Sequence, residues 1–210
     1  EIDRYDRTHK LINYLLDNNF DIICLQEAIP EVLSLIYKSI HLIYPYIHTN
    51  LIDTGYGVCI ISKMKIFDTE IYKFKSTNMN RCLIKCKINN IVIATTHLES
   101  VFKSNTGVKI EQFNNAIKIL NQYDKVIFVG DMNLTPYDDK DIKFDNFHDI
   151  YLTIDNTIEN KYSYNGDTNI YINNKLKSRL DRAYIKNLIS NEFKLEKTLL
   201  SDHYGIKFSL

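Results

Sequence analysis

Short apolar runs rich in Ile and Val punctuate the chain, and each breaks off into polar residues able to do chemistry. Asp21-Ile22-Ile23-Cys24 leads into Leu25-Gln26-Glu27, and Ile91-Val92-Ile93-Ala94 leads towards Thr96-His97-Leu98-Glu99-Ser100. Val126-Ile127-Phe128-Val129 leads into Gly130-Asp131-Met132-Asn133, and Leu199-Leu200 into Ser201-Asp202-His203. Apolar runs this short read as buried strands. The pattern predicts four strand ends delivering Glu27, His97, Asp131, Asn133, Asp202 and His203, and sheet edges are where α/β proteins usually carry their chemistry.

Helical periodicity fills the intervals. Leu11, Ile12, Leu15 and Leu16 share one face of a helix predicted over 7–17, stopped by Asn18-Asn19. Pro30 sits where a helix accepts its first residue, and Val32, Leu33, Leu35 and Ile36 give a helix near 30–40 its apolar face. Ile110, Phe113, Ile117 and Leu120 do the same over 108–120. Gly55 and Gly57 mark a turn before a strand at Val58-Cys59-Ile60-Ile61. Residues 81–88 largely alternate and meet 91–95 across Asn89-Asn90, a hairpin connection. Late strands are expected over 180–185 and 205–208. Alternating strands and helices, joined to an antiparallel hairpin, predict an α/β chain of two packed mixed sheets flanked by helices. No linker or repeat divides residues 1–210, so one domain is expected.

At 210 residues and 45% hydrophobic content, the chain can bury a core without disulfide or metal staples. Its 26 basic and 26 acidic residues cancel, which argues against nucleic-acid binding by bulk charge but leaves room for a local basic patch. Cys24, Cys59, Cys82 and Cys86 fall in apolar runs with no zinc spacing, so buried free thiols are expected. No secretory signal or membrane-length apolar run is seen, and an intracellular protein of nucleus or cytoplasm, with no membrane partner, is expected.

A single acid after a strand is ordinarily a turn-former or a helix cap. Three acids, an amide and two histidines at strand ends instead match the needs of phosphodiester hydrolysis. The scissile phosphate is an anion, so a site must neutralise charge, supply a water nucleophile and stabilise the leaving oxygen. A hard carboxylate such as Glu27 suits Mg²⁺, which needs only one or two protein ligands. Asp131 can take a proton from water while Asn133 donates to a phosphate oxygen, and His203 offers an imidazolium. Asp181, in Arg179-Leu180-Asp181-Arg182, either orients His203 and raises its pKa or pairs with a neighbouring arginine. Both readings stand at this point.

These residues resemble the endonuclease/exonuclease/phosphatase superfamily, through Leu25-Gln26-Glu27, Gly130-Asp131-Met132-Asn133 and Ser201-Asp202-His203. Within it the likeness is to the tyrosyl-DNA phosphodiesterase type 2 family. Thr96–Ser100, Ser76-Thr77-Asn78-Met79-Asn80-Arg81, Gln26-Glu27-Ala28-Ile29-Pro30 and Ser201-Asp202-His203-Tyr204-Gly205 carry that closer match. The resemblance implies a DNase I-like four-layer sandwich. It implies Glu27 and Asp202 at the metal, Mg²⁺ with Mn²⁺ able to substitute, and catalytic roles for Asp131, His203, Asn133, His97, Asp181 and Asp202. It implies substrate contacts from Tyr56, Arg81, Ser100, Lys103 and Tyr164. It further implies hydrolysis of the 5′-phosphotyrosyl bond between a trapped protein and single-stranded or end-frayed DNA, in DNA-end repair, by a monomer. Some members act on RNA.

Three departures accompany the likeness. The family opens with a strand ending in Trp-Asn, which by spacing is expected just upstream of Glu1. Tyr164 stands where a stacking Trp is expected, and Tyr56 faces it across the groove; with 15 tyrosines, ordinary packing is the competing reading for both. Val101-Phe102 displace the family's Arg, leaving Lys103 as the nearest cation. Two rivals remain: a nuclease, 2′,5′-phosphodiesterase or lipid phosphodiesterase of the same fold, and a non-catalytic nucleic-acid binder.

Overall fold

The computed structural model describes residues 2–51, 55–100 and 106–210. A three-stranded sheet runs in the order β1 (Ile22–Ala28), β3 (Gly57–Ser62), β2 (Tyr46–Thr49). A six-stranded sheet joins β4 (Phe67–Lys73), β5 (Cys82–Ile88), β6 (Ile91–His97), β7 (Val126–Asp131), β11 (Asp181–Lys186) and β8 (His148–Asp149). It is mixed, because β6 and β7 run parallel while the other neighbours are antiparallel. Two ribbons complete the strands: β9 (Tyr164–Asn165) with β10 (Lys177–Ser178), and β12 (Glu192–Glu196) with β13 (Gly205–Ser209).

Period-two alternation decides which layer each strand residue enters. In β3, Val58 and Ile60 pack into a cluster with Ile84, Ile93, Ile127 and Ile185 between the two large sheets. Cys59 and Ile61, the intervening residues, face helices α1 (Ile2–Asn18) and α2 (Pro30–Ile40) through Ile12, Leu15, Leu33, Ile36 and Ile40. On the far face of the six-stranded sheet, Leu83, Val92, Ala94, Phe128 and Tyr184 meet Phe113, Ala116, Ile117 and Leu120 of α3 (Thr106–Leu120). Helix, sheet, sheet and helix therefore stack as four layers, the DNase I-like sandwich.

Local chemistry sets the boundaries. Pro30 opens α2, with Glu31 in its first turn and Lys38 in its last, each matching the helix dipole. Asn19, at φ 52°, ends α1, which starts earlier than the expected residue 7. Asn89, at φ 54°, makes the β5–β6 turn. Gly130, at φ 150°, lies against β6, where a Cβ would stand 2.0 Å from the Thr96 carbonyl oxygen; no other residue fits this close approach.

One expectation is corrected. Leu199-Leu200 is a turn, not a strand, so Asp202 and His203 precede β13 instead of ending an apolar run. A two-leucine run offers too little alternation to form a ladder, and its partners lie elsewhere. Among the described residues all four cysteines are free, three of them buried. Burial pushes Cys82 up to about 11 and Cys59 and Cys86 up to about 12, which keeps these thiols protonated and unreactive. No helix of the described residues is long and apolar enough to cross a membrane.

Candidate active site

His97, Asp131 and Asp181 occupy one rung of the six-stranded sheet. His97 pairs with Asp131 across the parallel β6–β7 ladder, and Asp131 with Asp181 across the antiparallel β7–β11 ladder. Each ends a row on the inter-sheet face: Ile93 and Thr95 before His97, Ile127 and Val129 before Asp131, Ile185 and Ala183 beside Asp181. The packed core thus gives way to ionisable groups at one end of the sheet. In-register residues share a face, so the ladder itself brings the three side chains together.

Glu27 reaches the same place from the other sheet by an irregular route. Alternation along β1 sends Ile23 and Leu25 towards the helices, and Glu27 would follow them. Instead the register shifts between Leu25 and Ala28, and Glu27 adopts φ 56°. This bulge re-aims the carboxylate, as bulges beside functional sites do. Glu27 Oε1 then accepts the Tyr56 hydroxyl at 2.6 Å and lies 3.9 Å from His97 Nδ1.

His97 is held from both sides. Arg81 donates from a guanidinium nitrogen to His97 Nδ1 at 3.0 Å, and His97 Nε2 lies 3.3 Å from Asp131 Oδ2. A guanidinium can only donate, so Nδ1 accepts and the single proton sits on Nε2, facing Asp131. Burial, then the positive charges of Arg81 and His203, push His97 down to about 3, which keeps it neutral. Arg81 also lies over the Tyr56 ring at 5.5 Å, and among the described residues its buried Nε has no hydrogen-bond partner.

Asp131 and His203 are both raised above the values water would give them, for different reasons. Burial and the neighbouring Asp181 raise Asp131 to about 7, with Glu27 adding to the effect and His203 and the Asn133 N–H opposing it. Burial alone would lower His203, but the Asp181 hydrogen bond and charge, with Asp131 and Asp202, outweigh it and raise His203 to about 9. His203 Nδ1 donates to Asp181 Oδ2 at 2.7 Å. Asp181 therefore orients His203, while Arg179 pairs with Asp149 at 2.6 Å and Arg182 with Asp139 at 2.7 Å. Among the described residues the Asp181 side chain thus bonds to His203 and not to either arginine.

The remaining candidates divide. Asn133, at φ 49°, gives its backbone N–H to Asp131 Oδ1 at 2.9 Å and one amide hydrogen to the Leu98 carbonyl at 3.0 Å. Asp202 is exposed, accepts the Ser201 hydroxyl at 3.1 Å, and acts on His203 only through its charge. Tyr164 pairs with His203 through a backbone bridge and packs edge-on against its ring at 5.4 Å. Ser100 contacts the Met79 thioether at 3.7 Å, beside Arg81. Lys103 lies outside the described residues.

Two supporting groups had no assigned role in the sequence reading. Buried Ser163 accepts the Leu180 and Asp181 N–H groups at 3.1 and 3.0 Å on its hydroxyl and the Tyr204 N–H at 2.8 Å on its carbonyl. It ties the Asp181 strand to the His203 loop. Lys109, paired with Asp138 at 2.9 Å, donates to the Asn133 carbonyl at 2.9 Å. A serine between tyrosines and a lysine on an amphipathic helix carry no sequence signal of such roles. A shallow cleft lined by Tyr56, Met79, Arg81 and His97 adjoins the network. A larger one of about 190 Å³ lies at the opposite strand end, among Lys85, Lys87 and Lys125, away from these groups.

The family model for the endonuclease/exonuclease/phosphatase family matches residues 3–203. The chain belongs to that family. Membership of the endonuclease/exonuclease/phosphatase family places it among phosphodiesterases and phosphatases by class. No match was found among curated proteins. Solved structures share the fold. A D. rerio TDP2 complexed with single-strand DNA product superposes with a TM-score of 0.86 at 23% identity, covering 96% of this chain and 90% of that one. A truncated Caenorhabditis elegans TDP2 gives 0.82 at 23% identity, covering 96% and 88%. A Bacteroides thetaiotaomicron mannosyl-6-phosphatase gives 0.77 at 13% identity, covering 98% and 91%. The resemblance read from the motifs is borne out in these matches.

Enzymes of the endonuclease/exonuclease/phosphatase family are generally dependent on divalent metal, and this donor set fits one. Burial and the crowding of Asp181 and Glu27 hold Asp131 near 7, the state expected where carboxylates are gathered for a cation. Ligand atoms of Asp131, Asp181 and His203 lie within 4.8 Å of one another. His203 already gives Nδ1 to Asp181, and its raised pKa favours the doubly protonated ring, which donates hydrogen bonds. It suits a phosphate oxygen better.

Proposed function

We propose that the chain hydrolyses the 5′-phosphotyrosyl bond joining a protein to DNA, with Mg²⁺ as its cofactor. The observation that supports this most is one continuous network from Arg81, Tyr56 and Glu27 through His97 and Asp131 to Asp181 and His203. It puts a stacked aromatic and a cation on one side of a carboxylate base, and an imidazolium on the other. Glu27 and Asp202 would hold the metal, which would supply charge neutralisation to the phosphate.

The remaining steps belong to the chain. Asp131, poised near neutrality, accepts the proton of the attacking water; the neutral His97 donates to it from Nε2 and fixes its orientation. His203, cationic up to about 9 and held by Asp181, donates to the phosphate as negative charge develops. The second amide hydrogen of Asn133 is available to the same group. Tyr56 and Tyr164 flank the site on opposite sides, each packed edge-on or tilted against a histidine, and offer ring faces to a nucleotide or tyrosyl group.

Purified protein with Mg²⁺ and an oligonucleotide bearing a 5′-phosphotyrosine tests the reading. Release of a 5′-phosphorylated strand, faster than any cleavage of abasic duplex, 2′,5′-oligoadenylate or mannose 6-phosphate, is the expected result. Preference for one of those others moves the substrate elsewhere within the family. Asp131→Asn keeping DNA binding while losing turnover separates an enzyme from a binder.

A further inference from the structure

Two segments singled out by sequence, Ser76–Arg81 and Thr96–Ser100, meet at a buried carboxylate that the catalytic network does not use. Glu99 is 3% exposed. It accepts the Thr77 hydroxyl at 2.8 Å, the Asn78 N–H at 3.2 Å and the Gln112 side-chain amide at 3.4 Å. Among the described residues no cation pairs with it. Gln112, buried on α3, accepts the Glu99 N–H at 2.8 Å and donates to the Ser76 carbonyl at 2.7 Å. The Thr77 hydroxyl oxygen in turn accepts the Arg81 N–H at 2.9 Å and the Met79 N–H at 3.3 Å. The side-chain polar atoms of Glu99, Gln112 and Thr77 are all used, as a buried network requires.

The loop it holds has little else. Residues 75–81 contain no helix or strand, and Asn80 adopts φ 54°. At its end, Arg81 reaches His97 through one nitrogen and Met79 sulfur through another and lies over the Tyr56 ring at 5.5 Å. These contacts all converge on the guanidinium end of a long side chain, so they are made together only when the backbone at 81 is in place. We propose that Gln112, Glu99 and Thr77 are positioning residues that fix the Arg81 guanidinium against His97, linking α3 to the site. A plain loop staple would stabilise the fold without acting through Arg81.

The kinetic arm rests on the phosphodiesterase reading; a spectroscopic arm does not. Thr77→Val, Thr77→Ser and Glu99→Gln are made in the native and Arg81→Ala backgrounds. They are assayed with Mg²⁺ on the 5′-phosphotyrosyl oligonucleotide and on bis(4-nitrophenyl) phosphate, and the ¹⁵N resonance of His97 Nδ1 is recorded. Thr77→Val should lower kcat and kcat/KM together by roughly 10- to 100-fold, the cost of a small misplacement of a reacting constellation. Thr77→Ser should restore most of the loss, and Thr77→Val should add nothing in the Arg81→Ala background. The His97 Nδ1 resonance should move in Thr77→Val as it does in Arg81→Ala. Equal losses in both backgrounds, or an unmoved resonance, overturn the proposal. If the native protein cleaves neither diester, the proposed function fails while the resonance still decides the chain. Should Thr77→Val not fold, Gln112→Met at the far end reads the same resonance.

Discussion

His97 and His203 approach Asp131 from opposite sides, and both are largely withdrawn from water. Burial pushes both imidazoles towards the neutral form, yet they finish about 3 and about 9. The difference lies in the company each keeps. His97 accepts from a guanidinium and feels a second positive charge, so nothing offsets desolvation. His203 donates to Asp181 and has two further carboxylates nearby. One sheet end therefore carries a neutral donor and a cationic donor around the same carboxylate, the separation of states that acid–base chemistry at neutral pH needs.

The sharpest way to break this comparison is to remove each ring. His203→Gln should lower kcat on the order of 10³-fold, since it removes charge from the developing anion. His97→Gln, which still offers a neutral amide donor, should cost only about 10²-fold. Steady-state kinetics on the phosphotyrosyl oligonucleotide reads both, and equal losses would mean that charge does not distinguish the two positions.

Removing what separates them should cost less. Asp181→Asn takes away the first cause of the raised His203 value and should lower kcat about 10²-fold. In the native protein His203 stays protonated below about 9, so activity that needs the imidazolium should fall as pH rises through that value. In the variant this limb should move to lower pH. NMR titration should show His203 changing state near 9 and His97 remaining neutral at every pH above about 3.

Tyr56→Phe frees the Glu27 carboxylate while keeping the ring under Arg81, and a few-fold change in the Mg²⁺ concentration for half-activity is expected. Metal titration of the variant measures it.

The smallest effects concern stability, and the two histidines should act with opposite sign. Between about 3 and the usual histidine value, only unfolded chains protonate position 97, so stability falls as pH falls through that window. Between the usual value and about 9, only folded chains stay protonated at 203, so its contribution is lost as pH rises. Thermal melts across pH should show each slope flattened in the matching variant and not in the other.

Much of this architecture was legible wherever alternation met punctuation. The Asn89-Asn90 hairpin, the Pro30 helix and the runs before His97 and Asp131 all came out as strand or helix from period and turn chemistry. Strand β4 did not, because all seven of its residues are exposed and show no apolar face. The ribbons and β8 are too short to show a period. Within the site, acids and histidines were visible as residue types, but their partners were not. Nothing local tells Asp181 to choose His203 over Arg179 or Arg182; the choice depends on Asp149 and Asp139 claiming the arginines from 30 and 43 residues away. Glu27 is the sharper case. Its alternation points away from the site, and only the bulge in β1 reverses it.

The rung shared by His97, Asp131 and Asp181 makes competence a matter of correct zippering. A slip of one residue between β7 and β11 would turn Asp181 to the opposite side of the sheet and drive Arg182 and Lys186 into the apolar layer that Ala183 and Ile185 now fill. Near-native compact species would then be hydrolytically silent, and recovery of turnover after denaturation should lag behind collapse of the core, tracking the closure of this ladder.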